Sequence, residues 1–537
     1  MKKLASSILI FIVAFFILGA ALSAIQGRMN AIRYNERLTD DDPLENAPPL
    51  VAFTSVALGG FRGLVADYLW LRSSKMQDEG NYFEMVQLAD WIVKLQPRFT
   101  GSHAFLAWNM AYNVSVTFTS FEDRWRWVKR GIELIRDEAL EYNPGDPELF
   151  RQLGWIYQHK LGKDLDDANR YYKTEFAKEM IRLFGDFYGE WDELIKAPEN
   201  EQKLRAALGG KNDVWVILAS HGYKDFADFE RHFRELAVIP PEVAAELREL
   251  GSERIVEASL RRRWMVMKYR LLPDWLKKLN AKYGDLDWRL AEAHAIYWAE
   301  RGREKWTDDK DTFKRLSCDR MIFQSLAAAF ETGRLVYLKD IQHLEMTPNI
   351  HIIDAVNKSY QDAWALYDEN TIGGAYGNFL VNAVVTLYKF GEKKKAAEIL
   401  ALGNTYERYG TRFAKPLDEF VLKELADDME AASYPVAQGT VQSYLMNAYY
   451  QLAIDEDDVA EGYLTIAQQL YDRYRKFVTG TEKRRALPPW KQMQITSLEM
   501  TKQRIPAPMA KRLEERLPKA GEKFIPEAGE IAAPVVQ

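Results

Sequence analysis

Residues 143–157 read NPGDPELFRQLGWIY, a stretch in which one helix ends and another begins. Pro144 closes the first helix, and Pro147 suits the opening turn of the second, where its missing N–H costs nothing. Counted from Pro147, Gly154 takes the eighth position and Tyr157 the eleventh. A glycine at such a position lets two helices approach closely. The stretch therefore predicts a pair of helices that pack through a small residue.

Further segments repeat this spacing of small and aromatic residues. A unit over residues 66–99 puts Ser73 at its eighth position, and residues 379–400 and 444–467 space their alanines in the same register. The unit over residues 100–146 departs from the pattern by about 13 extra residues. These segments resemble the tetratricopeptide repeat (TPR) family, whose units of about 34 residues stack into helix-turn-helix solenoids. The resemblance covers about half of the chain and implies a protein that binds other proteins.

The start of the chain predicts a membrane anchor. Two lysines precede LASSILIFIVAFFILGAALSAI, the 22 residues Leu4 to Ile25, which carry no charge. At about 1.5 Å per residue this run spans about 33 Å, enough to cross a hydrocarbon core of about 30 Å. A cleaved signal peptide is the alternative, because Ala21 and Ser23 are small, but the apolar run is longer than a usual signal-peptide core.

The flanks of the apolar run bear on orientation. Basic residues are nearly balanced on its two sides, so their count decides little. The short tail with Lys2 and Lys3 is typical of a signal-anchor, which leaves the rest of the chain outside the cytoplasm. We therefore expect a single-pass protein whose bulk lies on the periplasmic side of the inner membrane.

Composition and periodicity divide the chain into six parts. We expect an all-α fold, in which an N-terminal transmembrane helix is followed by a TPR-like right-handed α-solenoid with an inserted helical block. Prolines in RALPPW and RIPAPM indicate that the tail is extended. The parts are a transmembrane anchor (1–27), a polar spacer (28–55), N-terminal TPR-like repeats (56–181), a helical insertion or small domain (182–284), C-terminal TPR-like repeats (285–476), and a proline-rich, partly disordered tail (477–537).

The TPR resemblance implies a binding groove along the first helix of each unit. Aromatic and arginine side chains supply most of the binding energy at protein interfaces. The register of the family places six residues on the groove wall: Trp70 in the first unit, Trp108 and Tyr112 in the second, and Arg151, Trp155 and Gln158 in the third. The alternative is that the chain's own insertion fills the groove and leaves these aromatics in the core.

A basic stretch stands out from a chain whose net charge is -6. Residues 259–282 carry eight lysines and arginines against Asp274 alone, interleaved with aromatic and apolar residues. Amphipathic basic helices bind anionic membrane surfaces. We predict contact with a membrane or an acidic partner through Arg261, Arg262, Arg263, Trp264, Lys268 and Arg270. The alternative is a solvated face of two linking helices.

Motifs for catalysis, metals and cofactors are lacking. The stretch ALGGKND does not match a phosphate-binding loop, and no glycine-rich dinucleotide motif is present. His343, Glu345 and His351 lie close together, but Pro348 interrupts any helix that would align them as zinc ligands. The net negative charge gives no general attraction to nucleic acid. Cys318 is the only cysteine, so no intramolecular disulfide can form. We expect no cofactor and no metal.

The leading interpretation is a membrane-anchored TPR-type scaffold or adaptor without catalytic activity. It would bind protein or peptide partners in or at the membrane of the cell envelope, and two copies could also associate. One alternative is a hydrolase or transferase with helical-repeat decoration, whose active site lies in the 182–284 block. Another is a protein that binds the membrane surface through the basic stretch 259–282.

Overall fold

The computed structural model describes residues 17–19, 21–32, 61–210, 213–306, 312–425, 432–478 and 486–524. Most of these residues are helical, so the all-α expectation is confirmed at the level of fold class. The chain divides into two compact units, which we call unit 1 (1–117 and 129–146) and unit 2 (118–128 and 147–537).

Only part of the predicted membrane anchor lies within the described residues. Residues 21–32 are helical, and Leu22 and Ile25 are exposed. Most of the apolar run Leu4–Ile25, like residues 33–55 of the spacer, lies outside the described residues. Where the structure does describe the chain, no helix is both long enough and apolar enough to cross a membrane.

Unit 1 is built from antiparallel helices. Its elements are α1 (Phe61–Asp78), α2 (Tyr82–Leu95), α3 (Thr100–Trp108) with its π-helical extension Asn109–Val114, a 3₁₀ turn (Ser115–Thr117), the end of α4 (Phe121–Glu133) with its π-helical extension Leu134–Ala139, and α5 (Leu140–Tyr142). In the α1–α2 pair, the fully buried Ser73 donates from Oγ to the carbonyl oxygen of Met85 at 3.4 Å. Ser73 therefore lies at a helix contact, as its position in the repeat predicts.

Unit 2 contains the remaining helices and one β-hairpin. Its elements are α6 (Pro147–Trp155) with its π-helical extension Ile156–Leu161, α7 (Asn169–Phe184), α8 (Trp191–Lys196), α9 (Glu201–Ala207), α10 (Asp213–Ser220), α11 (Phe226–Leu236), α12 (Pro241–Glu249), α13 (Glu253–Tyr269), α14 (Pro273–Tyr283), α15 (Ala291–Lys305), α16 (Thr312–Thr332), β1 (Arg334–Leu338), β2 (His343–Thr347), α17 (Ile353–Tyr367), α18 (Asn370–Lys389), α19 (Lys393–Asn404), α20 (Leu417–Leu425), α21 (Tyr434–Ala453), α22 (Asp457–Phe477), α23 (Trp490–Arg504) and α24 (Ala507–Arg516). Short 3₁₀ turns occupy Gly185–Phe187, Ile350–Ile352, Glu407–Tyr409, Leu517–Lys519 and Glu522–Phe524.

Gly154 lies at a close helix crossing, as predicted. A Cβ atom there would stand 3.3 Å from the carbonyl oxygen of Ala295 and 2.6 Å from Sδ of Met321. On the opposing helix, a Cβ at Gly302 would stand 3.2 Å from the carbonyl oxygen of Pro147. Glycine thus lets α6 and α15 approach closely in antiparallel directions. The partner of α6 is therefore not the next helix in the sequence, because residues 162–290 intervene between the two.

Two later helix pairs also pack through small residues. The loops between α18 and α19, and between α21 and α22, are short, so the helices of each pair run antiparallel and in contact. Four alanines that the register places at contact positions are fully buried: Ala396, Ala448, Ala460 and Ala467. Because these positions are buried where the helices meet, a small side chain fits them, which explains the regular spacing of the alanines.

A small β-hairpin interrupts the helices of the C-terminal half. β1 pairs antiparallel with β2, with Arg334 opposite Thr347. Asp287 fixes the hairpin, because its carboxylate accepts the backbone N–H of Leu335 at 2.8 Å. The hairpin is a local exception to the all-α expectation.

The tail is a correction to the sequence analysis. We expected residues 477–537 to be extended or partly disordered, but α23 and α24 form there and pack against α21. Met493 and Met509 are buried. Pro489 and Pro506 precede the two helices as their N-caps, positions where proline is well tolerated. Residues 479–485 and 525–537 lie outside the described residues.

Candidate partner-binding groove

A groove of about 530 Å³ lies in unit 1, where α1, the end of α2 and the turn before α3 meet. It is lined by Ala66, Asp67, Trp70, Ile92, Gln96, Arg98 and Phe99. Its size falls in the range of pockets that take small ligands or a few side chains of a peptide. Trp70, one of the six residues on which the sequence placed a groove, is in its wall.

Aromatic rings make up much of this wall. The Trp70 ring lies 4.9 Å from that of Phe105 and 5.9 Å from that of Phe99, centroid to centroid. Phe99 is 50% exposed although it is an aromatic residue, so its free face is open to a partner. Tilted aromatic contacts of this kind hold their rings in defined positions. The groove therefore offers an apolar surface that is already formed.

The turn that carries Phe99 is held by hydrogen bonds. Ser102 Oγ donates to the Phe99 carbonyl oxygen at 2.7 Å, and Nδ1 of the buried His103 lies 3.3 Å from the same oxygen. Asn143 donates from Nδ2 to the carbonyl oxygen of Pro97 at 2.8 Å. Burial lowers the pKa of His103 to about 4, so its ring is neutral at physiological pH. These bonds fix the groove wall before any partner binds.

Trp108 and Tyr112 form a second aromatic pair in unit 1. Their rings stack at 5.5 Å, and Trp108 is 39% exposed. Phe105, Trp108 and Tyr112 are three and seven residues apart on a helix, so they share one side of it. Burial raises the pKa of the Tyr112 hydroxyl. The two aromatics that the sequence assigned to the second unit thus lie on the same helix side as Phe105.

The residues predicted for the third unit lie in unit 2. Trp155 stacks on His159 with centroids 4.5 Å apart. Arg151 donates from Nε to Glu148 at 2.8 Å, and both side chains are partly exposed. Trp155 and Arg151 therefore remain accessible on α6.

Gln158 is a correction, because it faces the interior of unit 2. Only 6% of its surface is exposed. Its side-chain amide donates to the carbonyl oxygen of Met321 at 3.1 Å and to Oγ of Ser325 at 3.0 Å. A buried amide needs such partners. Gln158 joins α6 to α16 rather than facing a groove.

The basic stretch is a second correction, and Arg261 shows why. Arg261 is 2% exposed. Its guanidinium donates to the carbonyl oxygen of Leu183 at 2.8 Å and to that of Ala237 at 3.1 Å, and it pairs with Glu257 at 2.6 Å. The last carbonyl groups of a helix lack partners within the helix. Arg261 satisfies these groups at the ends of α7 and α11, so it does not reach a membrane or a partner.

The neighbouring arginines are engaged in the same way. Arg262 donates to the carbonyl oxygen of Ala197 at 2.8 Å. Arg263 pairs at 2.6 Å with Glu230, whose side chain is 2% exposed. Arginine is suited to such sites because its planar fork serves several acceptors at once.

The other three predicted contact residues differ in their surroundings. Trp264 is 5% exposed. Arg270 ends α13 in the left-handed conformation, and its carbonyl oxygen accepts from the hydroxyl of Tyr297 at 2.8 Å. Lys268 stays partly exposed, with Nζ 6.0 Å from the centroid of the Tyr269 ring. Four of the six predicted contact residues therefore serve packing, whereas Lys268 remains partly exposed.

A serine and two histidines, residue types that often serve in catalysis, have structural partners. Ser220 donates to the carbonyl oxygen of Ile217 at 2.8 Å, while the His221 ring pairs with Glu246 at 2.8 Å. His294, only 1% exposed, lies with Nε2 2.9 Å from the carbonyl oxygen of Trp288. These contacts do not assemble a nucleophile with a base.

The suggested zinc ligands do not converge. His343 and Glu345 face each other across 3.6 Å on β2, and Tyr450 donates to Glu345 at 2.7 Å. His351 lies in the following 3₁₀ turn. In the part of the chain that the structure describes, no three His, Cys, Asp or Glu residues are placed to hold a metal ion.

Sequence reasoning missed Phe99 as part of the groove wall, and Phe105 as the ring that packs against Trp70. The register of the repeat counts only positions on the first helix, whereas Phe99 precedes α3 in a turn. The signal that could have found it is local: an aromatic residue placed two positions after the helix-ending Pro97 faces the space between two helix pairs.

Comparison of the chain with protein-family models, with curated proteins and with solved structures found no match.

Proposed function

We propose that this chain is a TPR-type scaffold of the cell envelope that binds protein partners through the aromatic groove of unit 1. The observation that carries the proposal is the open groove around Trp70 and Phe99, walled by aromatic side chains. Buried aromatic anchors dominate the energy of protein interfaces.

The geometry of the groove indicates the kind of partner. Ala66 and Ile92 add apolar surface beside the two aromatic rings, and Asp67 and Arg98 supply one charge of each sign. Such a surface suits an extended peptide segment that inserts one or two apolar side chains and aligns its backbone with the polar rim. The helix pair that meets through Ser73 supports the resemblance to repeat proteins that present such grooves.

The membrane anchor belongs to this proposal. The uncharged run Leu4–Ile25 is long enough to span a bilayer, and Lys2 and Lys3 precede it. We infer a single-pass protein whose repeats lie on the periplasmic side of the inner membrane, where the groove meets partners in or at the membrane.

Replacing the two aromatic residues of the groove tests the proposal. The tagged full chain is used to capture partners from solubilised membranes, and each partner is quantified for the wild type and for the double variant Trp70→Ala/Phe99→Ala. We expect recovery of specific partners to fall at least tenfold, since an aromatic hot spot is worth about 2 kcal/mol or more. Peptides from a captured partner are then titrated against both proteins.

Trp91 provides the matched control. It lies on α2 of the same unit and is 53% exposed, but it does not line the groove. Trp91→Ala should leave recovery unchanged. Thermal unfolding checks that each variant is folded. If the double variant is unfolded, Phe99→Ala alone decides, because this groove residue is 50% exposed and contributes less to the core. Equal losses for the groove and control variants would refute the groove.

A further inference from the structure

Helix α1 carries an apolar stripe that nothing in the described chain covers. Five large side chains on it are exposed, at 72% for Phe61, 66% for Leu64, 38% for Val65, 63% for Tyr68 and 72% for Leu71. They are spaced by three and four residues, so they lie on one side of the helix. We call this set the α1 stripe.

The opposite side of α1 is apolar as well. Ala66 and Leu69 are buried, and Ser73 bonds to α2. A helix that is apolar on both sides is normally packed on both sides. In repeat proteins, the end of the array needs a polar face or a further packing partner to stay soluble. The α1 stripe therefore requires an occupant.

The stripe and the groove are separate surfaces of α1. At about 100° per residue, Trp70 points roughly 160° away from the centre of the stripe. A substitution in the stripe can therefore leave the groove intact, and the two surfaces can be tested independently.

We propose that the α1 stripe is the contact through which two copies of this chain associate. The five side chains expose roughly 500 Å² in each copy, taking about 150–250 Å² for a large side chain. Two copies would bury about 1,000 Å² together, the lower limit for a specific interface. Two identical stripes can form such a contact, because a two-fold interface uses the same surface of both copies and both sides are then equally apolar.

The charges beside the stripe argue against a lipid surface as the occupant. Helices that lie on membranes carry several lysines or arginines beside their apolar face. Here Lys75 has Glu79 within 3.7 Å, Arg72 pairs with Glu84 at 2.8 Å, and Asp67 is exposed. These neighbours sum to a charge close to zero and offer nothing to an anionic headgroup.

The position of α1 in the chain favours a second copy. Only residues 33–60, 28 in number, separate the helical residues 21–32 from α1. Even fully extended, a chain of that length spans at most about 100 Å. With the anchor of the proposed function in place, on which this step rests, copies in one membrane present their stripes within the same layer. Confinement of this kind raises the effective concentration for association.

Cross-linking through a single introduced cysteine tests the contact. Cys318 is the only native cysteine, it is buried, and burial raises its thiol pKa to about 11, so it reacts slowly. The full chain with Val65→Cys, kept in mild detergent, is treated with a short bis-maleimide. We expect a covalent dimer. The control Val216→Cys, at a 64% exposed site on α10, should stay monomeric.

A second measurement separates association from the groove. Sedimentation of the full chain should give a dimer, and Leu64→Gln/Leu71→Gln should weaken its association at least tenfold. Partner capture by the groove should survive in this variant. A wild-type monomer without cross-links overturns the proposal. The proposal also fails if a fluorescent probe on the Val65→Cys variant is quenched by lipid-borne quenchers without dimer formation, because the stripe would then lie on the bilayer.

Discussion

His103 shows at the residue scale how the groove wall is positioned. Its ring is fully buried, with Nδ1 directed at the Phe99 carbonyl oxygen, while Nε2 has no hydrogen-bond partner among the described residues. Desolvation is the main reason for its lowered pKa, and the Phe99 carbonyl and Asp146 oppose it only in part. The folded state therefore disfavours the protonated form of the His103 ring.

We predict that His103 makes the protein less stable at mildly acid pH. Above pH 6.5 the ring is neutral in both states and has no effect. As the pH falls from 6.5 towards 4, His103 binds a proton in the unfolded chain but not in the folded chain. The free energy of unfolding then falls, by up to roughly 3 kcal/mol at pH 4. Below pH 4 the folded state is protonated as well, and this loss stops.

Urea unfolding at pH 7 and pH 4.5 measures the effect. In His103→Gln the decline between these values should shrink by roughly 2 kcal/mol, because the amide can donate to Phe99 without titrating. His221→Gln is the control, since His221 is partly exposed and paired with Glu246. The explanation fails if His103→Gln and the wild type lose the same stability.

At the scale of elements, the crossing of α6 and α15 distinguishes two kinds of glycine. A Cβ atom at Gly154 would stand 3.3 and 3.4 Å from backbone atoms of α15. At Gly374, in α18, a Cβ would have no described atom within 4 Å apart from its chain neighbours and the backbone of its own helix. Both lie in helices, so both gain the same helix propensity on conversion to alanine.

We predict opposite effects for the two substitutions. Gly154→Ala should lower the free energy of unfolding by roughly 1–3 kcal/mol, because the helices must move apart. Gly374→Ala should raise it by up to about 1 kcal/mol. Denaturant titration of the two variants and the wild type measures both. Stabilisation by Gly154→Ala would mean that the helices do not meet at this residue.

At the scale of the whole molecule, folding hides much of the positive charge. Residues 259–282 hold eight basic residues, but Arg261 and Arg263 are enclosed by acidic and carbonyl partners. The groove rim carries Asp67 and Arg98, whose charges oppose each other. Neither surface presents a field of one sign.

Partner binding should therefore depend little on salt. Between about 0.05 and 0.5 M NaCl we expect the dissociation constant of a groove-binding peptide to change less than about threefold, because only exposed charge pairs are screened. Fluorescence titration at several salt concentrations measures this. A loss of affinity by tenfold or more would instead indicate binding by the basic residues that stay exposed, such as Lys268.

Local patterns in the sequence predicted the helical class and the small residues at helix contacts, and they singled out Trp70, which lines a pocket of unit 1. These follow from local rules: periodicity marks helices, and a residue such as Gly154 or Ser73 at a fixed offset marks where two helices touch. The pairing of α6 with α15 across residues 162–290 became visible in the tertiary structure, since periodicity carries no information about distant partners. The tertiary structure also decided that Arg261 and Gln158 are internal and that the tail forms helices after its prolines. The reason is that burial of a polar side chain depends on which carbonyl groups another segment brings to it.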